Sequence, residues 1–316
     1  DPSSDAWEPI AAPAWDGADG GADAGGGAES FVGRSDVAAV WTGSEIVLFG
    51  GRGAGDAVSG VGARWAHATG WSAISTQGAP SARVGASAVW SPSAGRVIVW
   101  GGAGKYGAAA AGGGRYAPSD DAWSAVSNAP FAARVGHVAV WDGAHARMIV
   151  WGGADDDMGV PQRSGAAYDP VTDTWTPIAD APIRRRHAVA FWDAASSRML
   201  VLMGEDGAWG GPRGDGAAYE PSTNRWEMLP DLALTGYAPG RGHTAVWGEG
   251  RVWAVGGDVA WAGGLTALGA RYDSATDAWA RIPPLAVARS GHRSVYAGAL
   301  LVWGGGGGGE RLVGVE

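Results

Sequence analysis

Arg134-Val-Gly-His-Val-Ala-Val-Trp141, then Met148-Ile-Val-Trp-Gly-Gly153, then Ala167-Tyr-Asp-Pro-Val-Thr-Asp-Thr-Trp175 form one cassette, and the chain repeats it about every fifty residues. Its sharpest mark is the glycine pair: Gly50-Gly51, Gly101-Gly102, Gly152-Gly153, Gly256-Gly257 and Gly304-Gly305, with Met203-Gly204 in the one gap. The first members are 51, 51, 51, 53 and 48 residues apart. Roughly twenty residues after the first five pairs stand Trp71, Trp123, Trp175, Trp226 and Trp279, preceded by Trp65, Tyr116, Tyr168, Tyr219 and Tyr272. Apolar runs such as Arg96-Val-Ile-Val-Trp100 suit strands buried on both faces. A repeat of this length, made of short β-runs and glycine, predicts an all-β chain of radial blades with four strands each.

The cassette resembles the kelch repeat, whose consensus carries Arg-x-Gly-His, Gly-Gly, Tyr-Asp and Trp in that order. The resemblance spans essentially the whole chain and implies a single kelch-type β-propeller over residues 1–316. Complete blades are expected at 34–80, 83–130, 134–182, 185–239 and 241–288. The sixth repeat is split. Residues 289–316 supply its first three strands, beginning Arg289-Ser-Gly-His-Arg-Ser-Val-Tyr296, and residues 1–10, with Asp1-Pro-Ser-Ser-Asp-Ala-Trp7, supply its outer strand. A six-bladed propeller closed by the N-terminal strand follows, since an open ring would leave strand edges exposed. Residues 11–33 are a Gly/Ala/Asp-rich connection.

Composition narrows the function. The formal net charge is −9 and the pI about 5.1, which argues against nucleic acid as a partner, because phosphates call for a basic face. No apolar run approaches the roughly twenty residues of a membrane span. Without cysteine there is no thiolate catalysis or thiolate metal site, and no cysteine–tyrosine cross-link of the kind galactose-oxidase-like kelch enzymes need. No cofactor is expected. The chain starts at Asp1 without methionine, so either a leader was removed or the sequence is a piece of a longer chain, and a periplasmic, cell-surface or secreted protein is expected.

Function is expected on the face carrying the long connections, from strand four to the next blade and from strand two to strand three. Sixteen of the nineteen tryptophans fall at repeat positions and read as packing; Trp15, Trp209 and Trp261 fall in connections, where Trp209 and Trp261 could stack on a sugar or anchor a peptide. Arg34, Arg83, Arg134, Arg185, Arg241 and Arg289 open the first strands, one per blade, as candidates for gripping carboxylates. Arg83-Val-Gly and Arg134-Val-Gly resemble the arginines with which human kelch substrate adaptors hold acidic peptides. The same arginines could instead bond backbone carbonyls and organise the rim. His137, His243 and His292 share one repeat position, and residues on separate blades diverge too far to hold one zinc, so no metal site is expected.

The fourth repeat departs most, with Met203-Gly-Glu-Asp-Gly-Ala-Trp-Gly-Gly-Pro-Arg-Gly-Asp215. This stretch resembles the bacterial N-acetylneuraminate epimerases, six-bladed kelch sialate mutarotases in which a Gly-Glu and a following arginine are the catalytic pair. The resemblance implies Glu205 as general acid/base for ring opening and Arg213 as carboxylate holder, in a loop about two residues longer. Three functions stay open: a propeller binding a carbohydrate or acidic peptide, a cofactor-free sugar mutarotase, and a rigid scaffold.

Overall fold

The computed structural model describes residues 34–156, 159–207, 213–235, 237, 242–259 and 264–306. Five antiparallel four-stranded blades follow one another. The first comprises Ala38–Trp41, Ile46–Phe49, Gly62–Ala66 and Gly70–Ala73; the second Ser87–Ser91, Arg96–Trp100, Gly113–Ala117 and Ala122–Ala125. The third has Val135–Asp142, Arg147–Ala154, Gly165–Asp169 and Thr174–Ile178. Val189–Asp193, Arg198–Leu202, Gly216–Glu220 and Arg225–Leu229 make the fourth, and Thr244–Gly248, Arg251–Val255, Gly269–Asp273 and Ala278–Arg281 the fifth. A two-stranded sheet, Arg293–Tyr296 with Leu300–Trp303, comes last. Six complete blades were expected from the sequence, and five are complete among the described residues. The strands expected to finish the sixth, in 307–316 and 1–10, lie outside those residues, as does the 11–33 connection. The chain falls into two compact units: one runs to Gly159 and takes in Gly165–Ile178, the other holds Val160–Ser164 and resumes at Ala179.

Second strands carry the core. Val97, Ile98, Val99 and Trp100 in blade two, and Met148, Ile149, Val150 and Trp151 in blade three, are fully buried, as their unbroken apolar runs require. Fourth strands are mostly exposed and hold on through one repeated fastening. The aromatic of strand three faces the tryptophan of strand four, as in Tyr168↔Trp175, with ring centroids 4.8 Å apart. Four of the tryptophan indoles then donate to a backbone carbonyl: Trp123 to Ser75 at 2.8 Å, Trp175 to Ser127 at 2.9 Å, Trp226 to Ala179 at 2.8 Å and Trp279 to Pro230 at 3.0 Å. Two residues before the tryptophan, Asp121, Asp173 and Asn224 accept from the tyrosine hydroxyl and also from the backbone N–H of Ser75, Ser127 and Ala179 respectively.

A second fastening uses the arginine and the glycine pair. The Arg83 guanidinium donates to the carbonyls of Gly101 (2.9 Å) and Gly112 (3.0 Å) in its own blade, and the Arg83 carbonyl accepts from Gly51 N–H of the preceding blade at 2.9 Å. Arg134 repeats this with Gly152 and Gly102, and Arg289 with Gly304 and Gly257. The glycines are required by space as well as by their positive φ. A Cβ on Gly101 would sit 2.5 Å from the His137 ring, and one on Gly102 2.5 Å from the Val84 carbonyl.

Replacing Arg134 with methionine strands buried carbonyls while keeping bulk. Stability should fall by about 2–4 kcal/mol, read as a lower urea midpoint at unchanged slope. An unchanged midpoint would show the clasp to be dispensable.

Candidate functional site

Blade four places an ion pair at positions that blades two and three fill with Val and Ala, whereas blade one has Ser35 and Arg52 there and blade five has Asp258 after its glycine pair. The residue after each rim arginine pairs through its backbone with the residue after each glycine pair: Val84↔Ala103 in blade two, Val135↔Ala154 in blade three, Arg186↔Glu205 in blade four. Both blade-four residues are buried, Arg186 1% and Glu205 7% exposed, and the Arg186 guanidinium donates to Glu205 Oε2 from Nε at 3.0 Å. Its Nη2 lies 3.0 Å from the same oxygen. A buried ion pair therefore stands where blades two and three hold Val/Ala.

The same loop closes through Arg213. The carbonyl of the second glycine accepts from Ser59 N–H in blade one, Ala110 in blade two, Thr266 in blade five and Arg213 in blade four, at 2.7–3.0 Å. Arg213 thus occupies a position where the equivalents are small and buried. Its guanidinium is half exposed and bonds the Asp206 carboxylate, which holds it above the usual arginine range. Glu205 and Arg213, eight residues apart, stand at the two ends of one connection, brought together by the Arg213 N–H to Gly204 carbonyl bond of 2.8 Å. Arg185 is re-aimed too. Where Met203, at φ 60°, replaces the first glycine, the Arg185 guanidinium turns to the Asp215 carboxylate rather than to a glycine carbonyl.

The other candidates separate into distinct places. Arg83, Arg134, Arg185 and Arg289 are 1–4% exposed, and Arg34 donates to the Gly50 carbonyl and the Ser59 hydroxyl. Burial draws the Arg83 guanidinium down to about 10, so it stays charged at neutral pH. These bonds to their own blades support the organising role. Arg241 lies outside the described residues. The buried Tyr237 hydroxyl donates to the Gly256 carbonyl at 2.7 Å, a carbonyl whose counterparts Gly101, Gly152 and Gly304 accept from an arginine. Trp209 and Trp261 also lie outside the described residues. His137 and His292 are pegs between blades, bonded to Ser87 at 3.0 Å and Thr244 at 2.8 Å; burial lowers both to about 4, leaving them neutral near pH 7. Among the described residues no group of three His, Asp or Glu could hold a metal, and no helix is long and apolar enough to cross a membrane.

Sequence reading had missed Arg186 and Asp215 as partners, and Asp121, Asp173 and Asn224 as hooks. The last three did leave a signal, a polar residue two places before each tryptophan.

The KLHDC2/KLHL20/DRC7 Kelch-repeats domain family matches residues 36–257. The chain belongs to the kelch-repeat family. The kelch propeller has no match among curated proteins. Among solved structures, one titled "Structure of YjhT" superposes with a TM-score of 0.68 at 15% identity, covering 91% of this chain and 95% of that one, which is a likeness of fold.

The blade-four pair can be dissected by copying blade two. Glu205→Ala or Arg186→Val alone leaves a buried charge and should each cost about 3–5 kcal/mol; the double variant should recover most of it. Additive losses in the cycle would contradict the pairing.

Proposed function

We propose that this kelch propeller recognises a carboxylate-bearing ligand, an acidic sugar or an acidic peptide, at the 203–215 connection of blade four. The observation that carries the reading is the placement of Glu205 and Arg213 at the base of one loop, where blade two has Ala103 and Ala110, with the Arg213 guanidinium half exposed. Rim arginines that are buried against glycine carbonyls have little left to offer a ligand; Arg213 has a planar fork at the surface. A ligand carboxylate would replace Asp206 on that fork, and Glu205, fixed by Arg186, would accept from ligand hydroxyl or amide groups. In calorimetry at low salt, N-acetylneuraminate and hexaglutamate test the two ligand types. Arg213→Ala should weaken whichever binds by about 10–100-fold, the worth of a charge-assisted pair. Binding indifferent to Arg213 would sink the proposal, and absence of binding to either would leave the scaffold role.

A sugar mutarotase is the second reading, favoured by the closure that sets Glu205 and Arg213 at the two ends of one loop. Ring opening needs a group that takes a proton from the anomeric hydroxyl and returns one to the ring oxygen; Glu205 would do both while Arg213 holds the carboxylate. Faster anomer exchange by NMR, lost in Glu205→Gln, distinguishes it from binding alone.

We also propose that the propeller has six blades, the last completed by residues 1–10. The support is the final two-stranded sheet, which repeats the first half of a blade, together with the Asp5-Ala-Trp7 match to the hairpins that carry Asp121 and Trp123. Deleting residues 1–10 should lower the melting temperature by several degrees, as loss of a paired strand costs a few kcal/mol. An unchanged melting curve would refute closure by this strand.

A further inference from the structure

Tyr106 is 92% exposed, whereas Tyr116, Tyr168, Tyr219, Tyr237 and Tyr272 are buried. It sits in the second-to-third-strand connection of blade two, beside Lys105, the one lysine of the chain. Its backbone is left-handed, φ 71° and ψ 16°. In the matching turn of blade one that conformation belongs to Gly55, φ 65° and ψ 26°. The two turns are otherwise alike: Gly53 N–H bonds the Ala57 carbonyl at 2.9 Å, and Gly104 N–H the Ala108 carbonyl at 2.8 Å. Glycine adopts this backbone freely; a bulky aromatic does so against its own sterics. The ring in blade two therefore stands in an unfavourable conformation and contributes no burial in return, a pattern that marks recognition rather than folding.

The surroundings suggest what is recognised. The turn is fixed at its base by the Val84↔Ala103 and Ala103↔Ala109 pairings and by Ala110 N–H to Gly102 carbonyl at 2.7 Å. Ala108 also pairs with Asp156 of blade three, which draws the exposed Asp155 and Asp156 alongside. The Lys105 ammonium lies 5.3 Å from the Tyr106 ring centroid, and the ring stays open to solvent. A single flat ring with a donor ammonium and neighbouring acceptor carboxylates matches the C–H face and the hydroxyls of a pyranose. Asp155 and Asp156 would repel an acidic peptide. We infer that Lys105 and Tyr106 form a carbohydrate-stacking platform on blade two. The inference rests on the ligand-binding reading of the chain but not on the charges of blade four.

Reductive 13C-dimethylation keeps the charge of Lys105 and gives it an NMR signal separate from that of the terminal amine. The probes are tetrasaccharides of glucose, mannose, galactose and N-acetylglucosamine, with hexaglutamate as the peptide arm. At least one tetrasaccharide should shift the Lys105 signal saturably. Tyr106→Gly should abolish that shift while the melting temperature holds or rises, Tyr106→Phe should keep it, and Arg213→Ala should leave it unaltered. The platform is overturned if no tetrasaccharide shifts the signal, if hexaglutamate alone does, if the shift survives Tyr106→Gly, or if Tyr106→Gly lowers the melting temperature. Failure of the blade-four proposal would show separately, as acidic-ligand binding indifferent to Arg213.

Discussion

The blades depend on a buried guanidinium that closes its own blade while its main chain holds the one before. In Arg83, Arg134 and Arg289 the side chain satisfies the carbonyl at the end of the second strand, and the backbone carbonyl accepts from the second glycine of the blade before. Buried carbonyls at strand ends need partners, and one planar fork supplies several donors at once. The glycine pair follows from this. One glycine clears room for the neighbouring histidine ring, and the other lets two backbones approach and turns its N–H toward the adjacent arginine. At the other end, the tryptophan indole and the Asp hook repeat the stitch, so the first three blades are tied at both ends by polar groups placed once per repeat.

Much of the fold was legible because its signals are periodic and local. Unbroken apolar runs mark the second strands, glycine pairs their ends, and the Tyr and Trp marks the outer hairpins of the all-β kelch fold. The role of the rim arginines was not legible, since a guanidinium suits a ligand carboxylate and a backbone carbonyl equally; burial supports the second. In the fifth blade the Tyr237 hydroxyl bonds the Gly256 carbonyl, the counterpart of Gly101 in the second. The Arg186–Glu205 pair spans 19 residues and depends on strand register, although Val84↔Ala103 and Val135↔Ala154 follow the same rule.

The repeat is broken in two connections. Relative to blade two, blade four has Glu205 and Arg213 for Ala103 and Ala110 and re-aims Arg185, and relative to blade one, blade two has Tyr106 for Gly55. Glu205, Arg213 and Tyr106 all fall in second-to-third-strand connections, which hang from the glycine pairs. Kelch propellers host unrelated functions on one frame, so such departures carry the individual character of this chain.

The central claim is that the arginine and glycine-pair clasp binds blade to blade as part of the core. Native-state hydrogen exchange at the Gly102 and Gly257 amides tests it directly, because each bonds only the carbonyl of the next blade's arginine. The account predicts protection equal to that of the second-strand amides of Ile98 and Ala254, lost only on global unfolding. Exchange as fast as that of surface-turn amides would contradict it.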